Sequence, residues 1–84
     1  MGKRKYQTAR VNRFDWEALA EEVEQQRIIV GIDVAKEKMV ACVFDEGEAV
    51  LKTVRWSHPA ETGELVALIE RLRESAAKVS VAME

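Results

Sequence analysis

Two acidic residues, Asp33 and Glu84, each follow a largely apolar segment and could together hold divalent metal ions. Asp33 comes after the run 28–32, and Glu84 comes after the run 79–83. An ionisable group at the end of an apolar strand is costly unless it is paired or bound to a metal. Two carboxylates on neighbouring strands, about 4.8 Å apart, could share the cations that assist phosphoryl transfer.

The elements that must position these carboxylates are strands and a crossover helix. Runs rich in β-branched residues predict strands over 28–34, 38–44, 49–56 and 78–83. The first three should be consecutive antiparallel strands. Apolar residues at helical spacing predict a helix over 60–75, built on Leu65, Leu68, Ile69 and Leu72. A right-handed crossover through this helix makes the fourth strand parallel to the first, so Asp33 and Glu84 should meet at one sheet edge.

The segment before the first strand predicts an amphipathic helix over 13–26. Its apolar stripe falls at helical spacing and comprises Trp16, Leu19, Ala20 and Val23. Asn12 or Asp15 can accept the free amide hydrogens at the start of this helix. The predicted fold is therefore α/β, with an N-terminal helix placed before the sheet.

Charge is distributed unevenly along the chain. The formal net charge is −2, yet the first fourteen residues carry five positive charges and no negative ones, from Lys3, Arg4, Lys5, Arg10 and Arg13. Such a tail could contact phosphate backbones, or it could be a solvated, disordered leader. The remainder is acidic and would repel phosphates.

Length and composition restrict the class of protein. Eighty-four residues, of which 48% are hydrophobic and 33% charged, allow one small folded domain. The single cysteine, Cys42, excludes an internal disulfide and favours a reducing, cytoplasmic setting. Because no apolar run approaches the roughly 20 residues that span a bilayer, we expect no membrane insertion.

The motif around Asp33 closely resembles the start of the insertion-sequence 110 family of transposases. Residues 29–36 read I-V-G-I-D-V-A-K, and about fifty residues later 81–84 read V-A-M-E. The resemblance covers residues 28–84 and leaves 1–27 as a basic leader and helix. It implies a RuvC-like, ribonuclease H-like fold with a DEDD tetrad of acidic ligands for Mg²⁺, in which Asp33 and Glu84 match the first Asp and the Glu.

The same resemblance implies DNA transposition, with a structured non-coding RNA bridging target and donor DNA. The family's other two aspartates and its serine nucleophile would lie further downstream, so we expect a truncated domain that is inactive alone. Lys36, which follows the motif aspartate, could touch a phosphate or merely solvate a turn. An incomplete sheet would also leave one face and an edge free for self-association.

Two other interpretations remain open at this point. Actin-like sugar kinases share the fold and begin with a similar G-I-D strand, but they usually follow the aspartate with Gly, Thr or Ser. Val34 and Lys36 occupy that stretch here. The chain could instead be a non-catalytic module that binds nucleic acid or protein through its basic tail and exposed helix.

Overall fold

The computed structural model describes residues 8–34 and 39–83, which form one mixed sheet with helices. Its elements in chain order are β1 (Thr8–Arg10), α1 (Trp16–Glu22), β2 (Arg27–Val34), β3 (Met39–Asp45), β4 (Val50–Trp56), α2 (Thr62–Ser75) and β5 (Lys78–Met83). Across the sheet the described strands lie in the order β1-β4-β3-β2-β5. Neither of the helices in these residues is long and apolar enough to cross a membrane.

The central pairing agrees with the sequence-based prediction. Strands β2, β3 and β4 are antiparallel neighbours, and β5 pairs in parallel with β2 after the chain crosses over through α2. The parallel register joins Ile28 to Val79 and Ile32 to Met83. Strand β2 is thus hydrogen-bonded on both sides, which fixes the backbone that carries Asp33.

One face of this sheet is covered by both helices. Residues of β2 alternate, so that Ile28, Val30 and Ile32 are buried while their neighbours are not. Helix α2 packs on this face through its buried leucines Leu65, Leu68 and Leu72, which lie on one side of the helix. The buried core consists of Val11, Leu19, Ala20, Val23, Ile28, Val30, Ile32, Ala41, Val43, Val54, Trp56, Leu65, Leu68 and Leu72.

The first helix is shorter than the predicted range 13–26. The Asp15 carboxylate accepts hydrogen bonds from the amides of Glu17 and Ala18, at 3.0 and 3.1 Å, so the helix begins at Trp16. It ends at Glu22, because the following turn must redirect the chain into β2. The Trp16 indole also donates to the carbonyl of Val11 over 2.7 Å, which orders the turn before the helix.

Strand β1 was not predicted. Three residues of the basic leader add to the sheet edge in parallel with β4, in a register that joins Arg10 to Arg55. Val11, directly after β1, is completely buried. The alternative of a disordered leader is therefore wrong for residues 8–13, since strand pairing and the buried Val11 order them, although most of their side chains stay exposed. Lys3, Arg4 and Lys5 lie outside the described residues.

The second face of the sheet, here called the open face, carries the odd-numbered residues of β2 and their cross-strand neighbours. Among the residues that the structure describes, no helix packs on it. Ile29 is 39% exposed, and Gly31, Cys42 and Phe44 are only half-buried. Apolar surface thus remains accessible on the side opposite the core.

Candidate functional site

Asp33 lies near the carboxyl end of β2 on the open face. It is exposed and borders a shallow groove of about 270 Å³. The other residues that line this groove are Gly31, Ile32, Cys42, Phe44 and Ala82. Asp33 is the one residue in that set with a formal charge at neutral pH. The arrangement is a carboxylate beside an otherwise mostly apolar concavity.

The neighbouring strand β5 runs parallel to β2 and ends at the same sheet edge. The last described pair in the register is Ile32 with Met83. Asp33 is the next residue along β2, and Glu84 is the next residue of the chain after Met83. Glu84 itself lies outside the described residues, as does Lys36. The structure shows that β2 and β5 are adjacent. That the carboxylates of Asp33 and Glu84 lie close together stays a prediction.

Asp33 is chemically suited to be one ligand of a hard divalent cation. Magnesium prefers oxygen donors and usually retains several waters beside one or two protein carboxylates. Within residues 8–34 and 39–83 no group of three or more His, Cys, Asp or Glu side chains could hold a metal ion. The described lining of this groove offers one carboxylate, that of Asp33, which fits a cation that keeps several waters.

Two basic residues of the leader, Arg10 and Arg13, lie in the part of the chain that the structure describes. The Arg10 guanidinium donates to the Glu61 carboxylate at 3.0 Å and so links the end of β1 to the residue that precedes α2. Arg13 is exposed in the turn that follows β1. Of the five leader cations, only these two fall among the described residues.

Glu61 organises a polar cluster that the sequence did not reveal. Its carboxylate accepts from the Ser57 amide at 2.9 Å, from Arg10 at 3.0 Å and from the Asn12 amide group at 3.4 Å. The Ser57 hydrogen bond, with support from Arg10 and Asn12, lowers the pKa of Glu61. This Glu61 cluster ties the leader to the start of α2. Ser57 is four positions from Glu61, but Arg10 and Asn12 are 51 and 49 positions away, and no local motif marks those two contacts.

A second groove, of about 190 Å³, lies at the opposite end of β2. It is lined by Arg27, Ile28, Ile29, Glu46, Lys78 and Ser80. Arg27 and Lys78 are register partners on adjacent strands, and Arg27 lies 3.8 Å from Glu46. Arg27, Lys78 and Glu46 therefore lie near one end of β2. At the other end, Asp33 shares the open face with the exposed Arg55, two strands away in register.

Comparison with known proteins identifies a family. A model of the DEDD transposases of the insertion-sequence 110 type, described as a transposase, matches residues 30–84. Searches of curated proteins and of solved structures gave no significant match. The family match includes the segment that bears Asp33, continues through the crossover to Glu84, and covers more than half of the chain. The chain belongs to the insertion-sequence 110 family of DEDD transposases.

Proposed function

We propose that Asp33 and Glu84 are two acidic metal ligands of a RuvC-like, ribonuclease H-like domain that acts in DNA transposition. The observation that carries this proposal is the parallel pairing of β2 with β5, because it directs the ends of both strands toward one sheet edge. The family match supports the same chemistry, since DEDD transposases in general depend on divalent metal.

The fold supports the RuvC-like assignment through its strand order. Three antiparallel strands, a crossover helix and a strand parallel to the first are compatible with the ribonuclease H-like fold that the family resemblance implies. Strand β1 and helix α1 are additions that precede the matched residues 30–84. The assignment therefore rests on β2 to β5.

In this proposal Asp33 acts by holding a carboxylate oxygen at a fixed position. A bound divalent cation would supply charge stabilisation at a phosphodiester. Asp33 belongs to a strand paired on both sides, so its backbone pays little ordering entropy when a ligand binds. Residues on rigid strands hold a site more accurately than residues on loops.

The family match favours the transposase over the actin-like kinase. Val34, which follows the motif aspartate, is 47% exposed and is neither a glycine nor a hydroxyl residue. A phosphate-cradling turn normally needs backbone amides that small residues leave accessible. No described feature of the sheet edge adds support for nucleotide binding.

A metal titration tests the role of Asp33. Backbone amide NMR of the 84-residue chain is recorded while Mg²⁺ is added, and Mn²⁺ then broadens the signals nearest to the bound ion. We expect weak binding that affects the end of β2 and is lost in Asp33→Asn. Glu46→Gln, at the opposite end of the open face, is the matched control and should leave the response intact. A response that survives Asp33→Asn would contradict the proposal.

The same polypeptide should not cut or join DNA, because only two positions of the acidic tetrad are matched within it. Duplex, branched and single-stranded DNA are incubated with the 84-residue chain in Mg²⁺ or Mn²⁺. Intact substrates are the expected result. Metal-dependent cleavage that disappears in Asp33→Asn would show that these residues suffice for catalysis.

We further propose that Lys3, Arg4 and Lys5 supply weak, salt-sensitive affinity for DNA or a bridging non-coding RNA. The structure refines the experiment, since truncation through residue 13 would remove the buried Val11. Replacing the three residues with glutamine leaves β1 and its anchor unchanged. Binding measured by fluorescence anisotropy at several salt concentrations should weaken, and its salt slope should fall. Unchanged binding and slope would assign the affinity to the folded body.

A further inference from the structure

The part of the open face formed by β1 and β4, here called the donor half, carries polar side chains that can donate hydrogen bonds. The parallel register joins Thr8 to Thr53 and Arg10 to Arg55, and the intervening Val54 is buried on the covered face. Because successive residues of a strand alternate between faces, the two threonines and two arginines lie on the open face. None of the four is acidic. Threonine and arginine are among the residues that donate to phosphate oxygens in complexes with DNA.

Arg55 is the cation of the donor half that is available to a ligand. The Arg10 guanidinium is already bound by the Glu61 carboxylate at 3.0 Å. Arg55 is exposed, and no carboxylate among residues 8–34 and 39–83 forms an ion pair with it. Strand β4 is paired with β1 on one side and β3 on the other, which fixes the backbone of Arg55. A planar guanidinium on a rigid strand is suited to a phosphate group.

Arg55 also shares one cross-strand row with Asp33. Asp33 is paired with Val40 of β3, and Val40 is paired with Arg55 of β4. Neighbouring strands are about 4.8 Å apart, so the backbones of Asp33 and Arg55 are separated by roughly 10 Å. Successive phosphates of one DNA strand advance about 3.4 Å along the duplex axis, so this separation corresponds to about three nucleotides. A DNA strand that crosses the sheet along this row can reach both residues.

We propose that the donor half binds the phosphate backbone of DNA, with Arg55 contacting a phosphate about three nucleotides from the one nearest Asp33. The inference rests on the proposed function, since it takes DNA as the substrate, and it adds where the strand lies on the sheet. The rest of the open face offers Ile29, Phe44 and Ala82, which have no side-chain donors for a phosphate. The DNA backbone is therefore expected on β4 and β1.

The charges around Arg55 set the expected strength. Glu61 is neutralised by Arg10, and Asp33 lies about one screening length from Arg55 at 0.1 M salt. Without metal, Asp33 repels the phosphates nearest to it. The affinity of the 84-residue chain for DNA should therefore be weak and should fall as salt is added. Asp33→Asn should not weaken this metal-free binding.

Fluorescence anisotropy with a labelled single strand of about 20 nucleotides, measured in EDTA, tests the role of Arg55. Arg55→Gln should raise the dissociation constant by about threefold to tenfold and lower the salt slope by about one. Arg55→Lys keeps the charge and should recover part of the loss. Arg73→Gln is the matched control, because Arg73 is exposed on α2, on the covered side of the sheet. Equal weakening by Arg55→Gln and Arg73→Gln would overturn the proposal, since it would indicate an effect of net charge alone.

Amide NMR of the unsubstituted chain keeps the test informative if Arg55→Gln does not fold. Adding the same DNA should shift the signals of residues 8–10 and 53–55 more than those of α2. Shifts confined to residues 1–7 would overturn the proposal and leave the basic segment as the binding site.

The absence of metal separates this inference from the proposed metal ligation. A chain that binds Mg²⁺ through Asp33 but binds DNA equally well after Arg55→Gln would contradict only the inference about Arg55. A chain whose DNA binding depends on Arg55 but that shows no response to Mg²⁺ would support the inference and contradict only the metal proposal.

Discussion

The two faces of the sheet differ in what they contribute: one carries the buried core, and the other carries the candidate site residue Asp33. On the covered face, Ile28 and Val30 are each 1% exposed and pack beneath two helices. On the open face, the alternating residues Ile29 and Asp33 of the same strand are exposed. A single strand thus contributes its even-numbered residues to the core and its odd-numbered residues to a surface. The difference teaches that the core can hold Asp33 in position without burying it.

This division explains how a charged residue can end a strand that is otherwise apolar. Burying an unpaired carboxylate would cost several kcal/mol, so Asp33 could not replace a residue of the covered face. On the open face its carboxylate stays in water, while its backbone is paired with Val40 of β3 and the preceding Ile32 is paired with Met83 of β5. Packing on the covered face fixes the backbone of β2, and the open face leaves the Asp33 carboxylate accessible to solvent.

The sharpest test of the comparison uses two adjacent isoleucines. Ile28→Ala should lower the free energy of unfolding by about 2–5 kcal/mol, because it leaves a cavity under both helices. Ile29→Ala should lower it by less than about 1 kcal/mol, since Ile29 is already 39% exposed. Urea denaturation followed by circular dichroism measures both. Equal losses would mean that the open face is covered in solution, and a concentration series would then identify self-association.

A second test asks how far the covered side extends into the leader. Val11→Ala removes a completely buried side chain beside β1 and should cost about 1–3 kcal/mol. Val66→Ala is the same substitution at a position 51% exposed on α2, and its effect should be close to zero. Thermal and urea unfolding give both values. If Val11→Ala were also neutral, the leader would not be part of the core.

Much of the central architecture could be predicted from sequence, and the leader could not. The strand bounds over 28–34 and 78–83 are within one residue of β2 and β5, because a short, mostly apolar run next to charged or polar residues is a strong signal for a strand. Strand β1 has three residues, one of them charged, and forms only because β4 offers an edge. In the Glu61 cluster, the contacts of Glu61 with Arg10 and Asn12 span about fifty positions. Nothing in local periodicity encodes such contacts.

At the candidate site, too, the local sequence signal was predictable and the long-range contacts were not. Asp33 was identifiable from its place after an apolar strand and from its motif. The groove beside it could not be predicted, because its lining comes from three strands that tertiary pairing brings together. Ligation by Glu84 remains a prediction, since that residue lies outside the described part of the chain.

The Glu61 cluster gives a third, smaller effect that depends on pH. Its carboxylate has a lowered pKa, from an ordinary value of 4.5, so the charged form stabilises the folded chain. That stabilisation is complete above about pH 4.5 and is lost as the pH falls through the lowered pKa. Glu61→Gln should therefore lower Tm at pH 7, and the difference from the unsubstituted chain should shrink on acidification. A constant difference from pH 7 to pH 2 would assign the effect to packing.

The smallest effect is expected at the ion pair between the helices. The Arg71 guanidinium donates to both carboxylate oxygens of Glu17, one at 2.8 Å, and this hydrogen bonding lowers the pKa of Glu17. The Glu17 side chain is 66% exposed, whereas that of Glu61 is 13% exposed. Water and salt therefore screen the Glu17 pair more strongly.

Glu17→Gln should consequently lower Tm less than Glu61→Gln does at pH 7 and low salt. The Glu17 contribution is also present above its ordinary pKa of 4.5 and is lost as the pH falls through the lowered value. Adding about 0.5 M NaCl shortens the screening length to a few ångströms and should remove most of the Glu17 effect while retaining more of the Glu61 effect. Calorimetry of both variants at two salt concentrations measures this order. If Glu17→Gln were the more damaging change, the contact between α1 and α2 would depend on this ion pair more than on the apolar side chains beneath it.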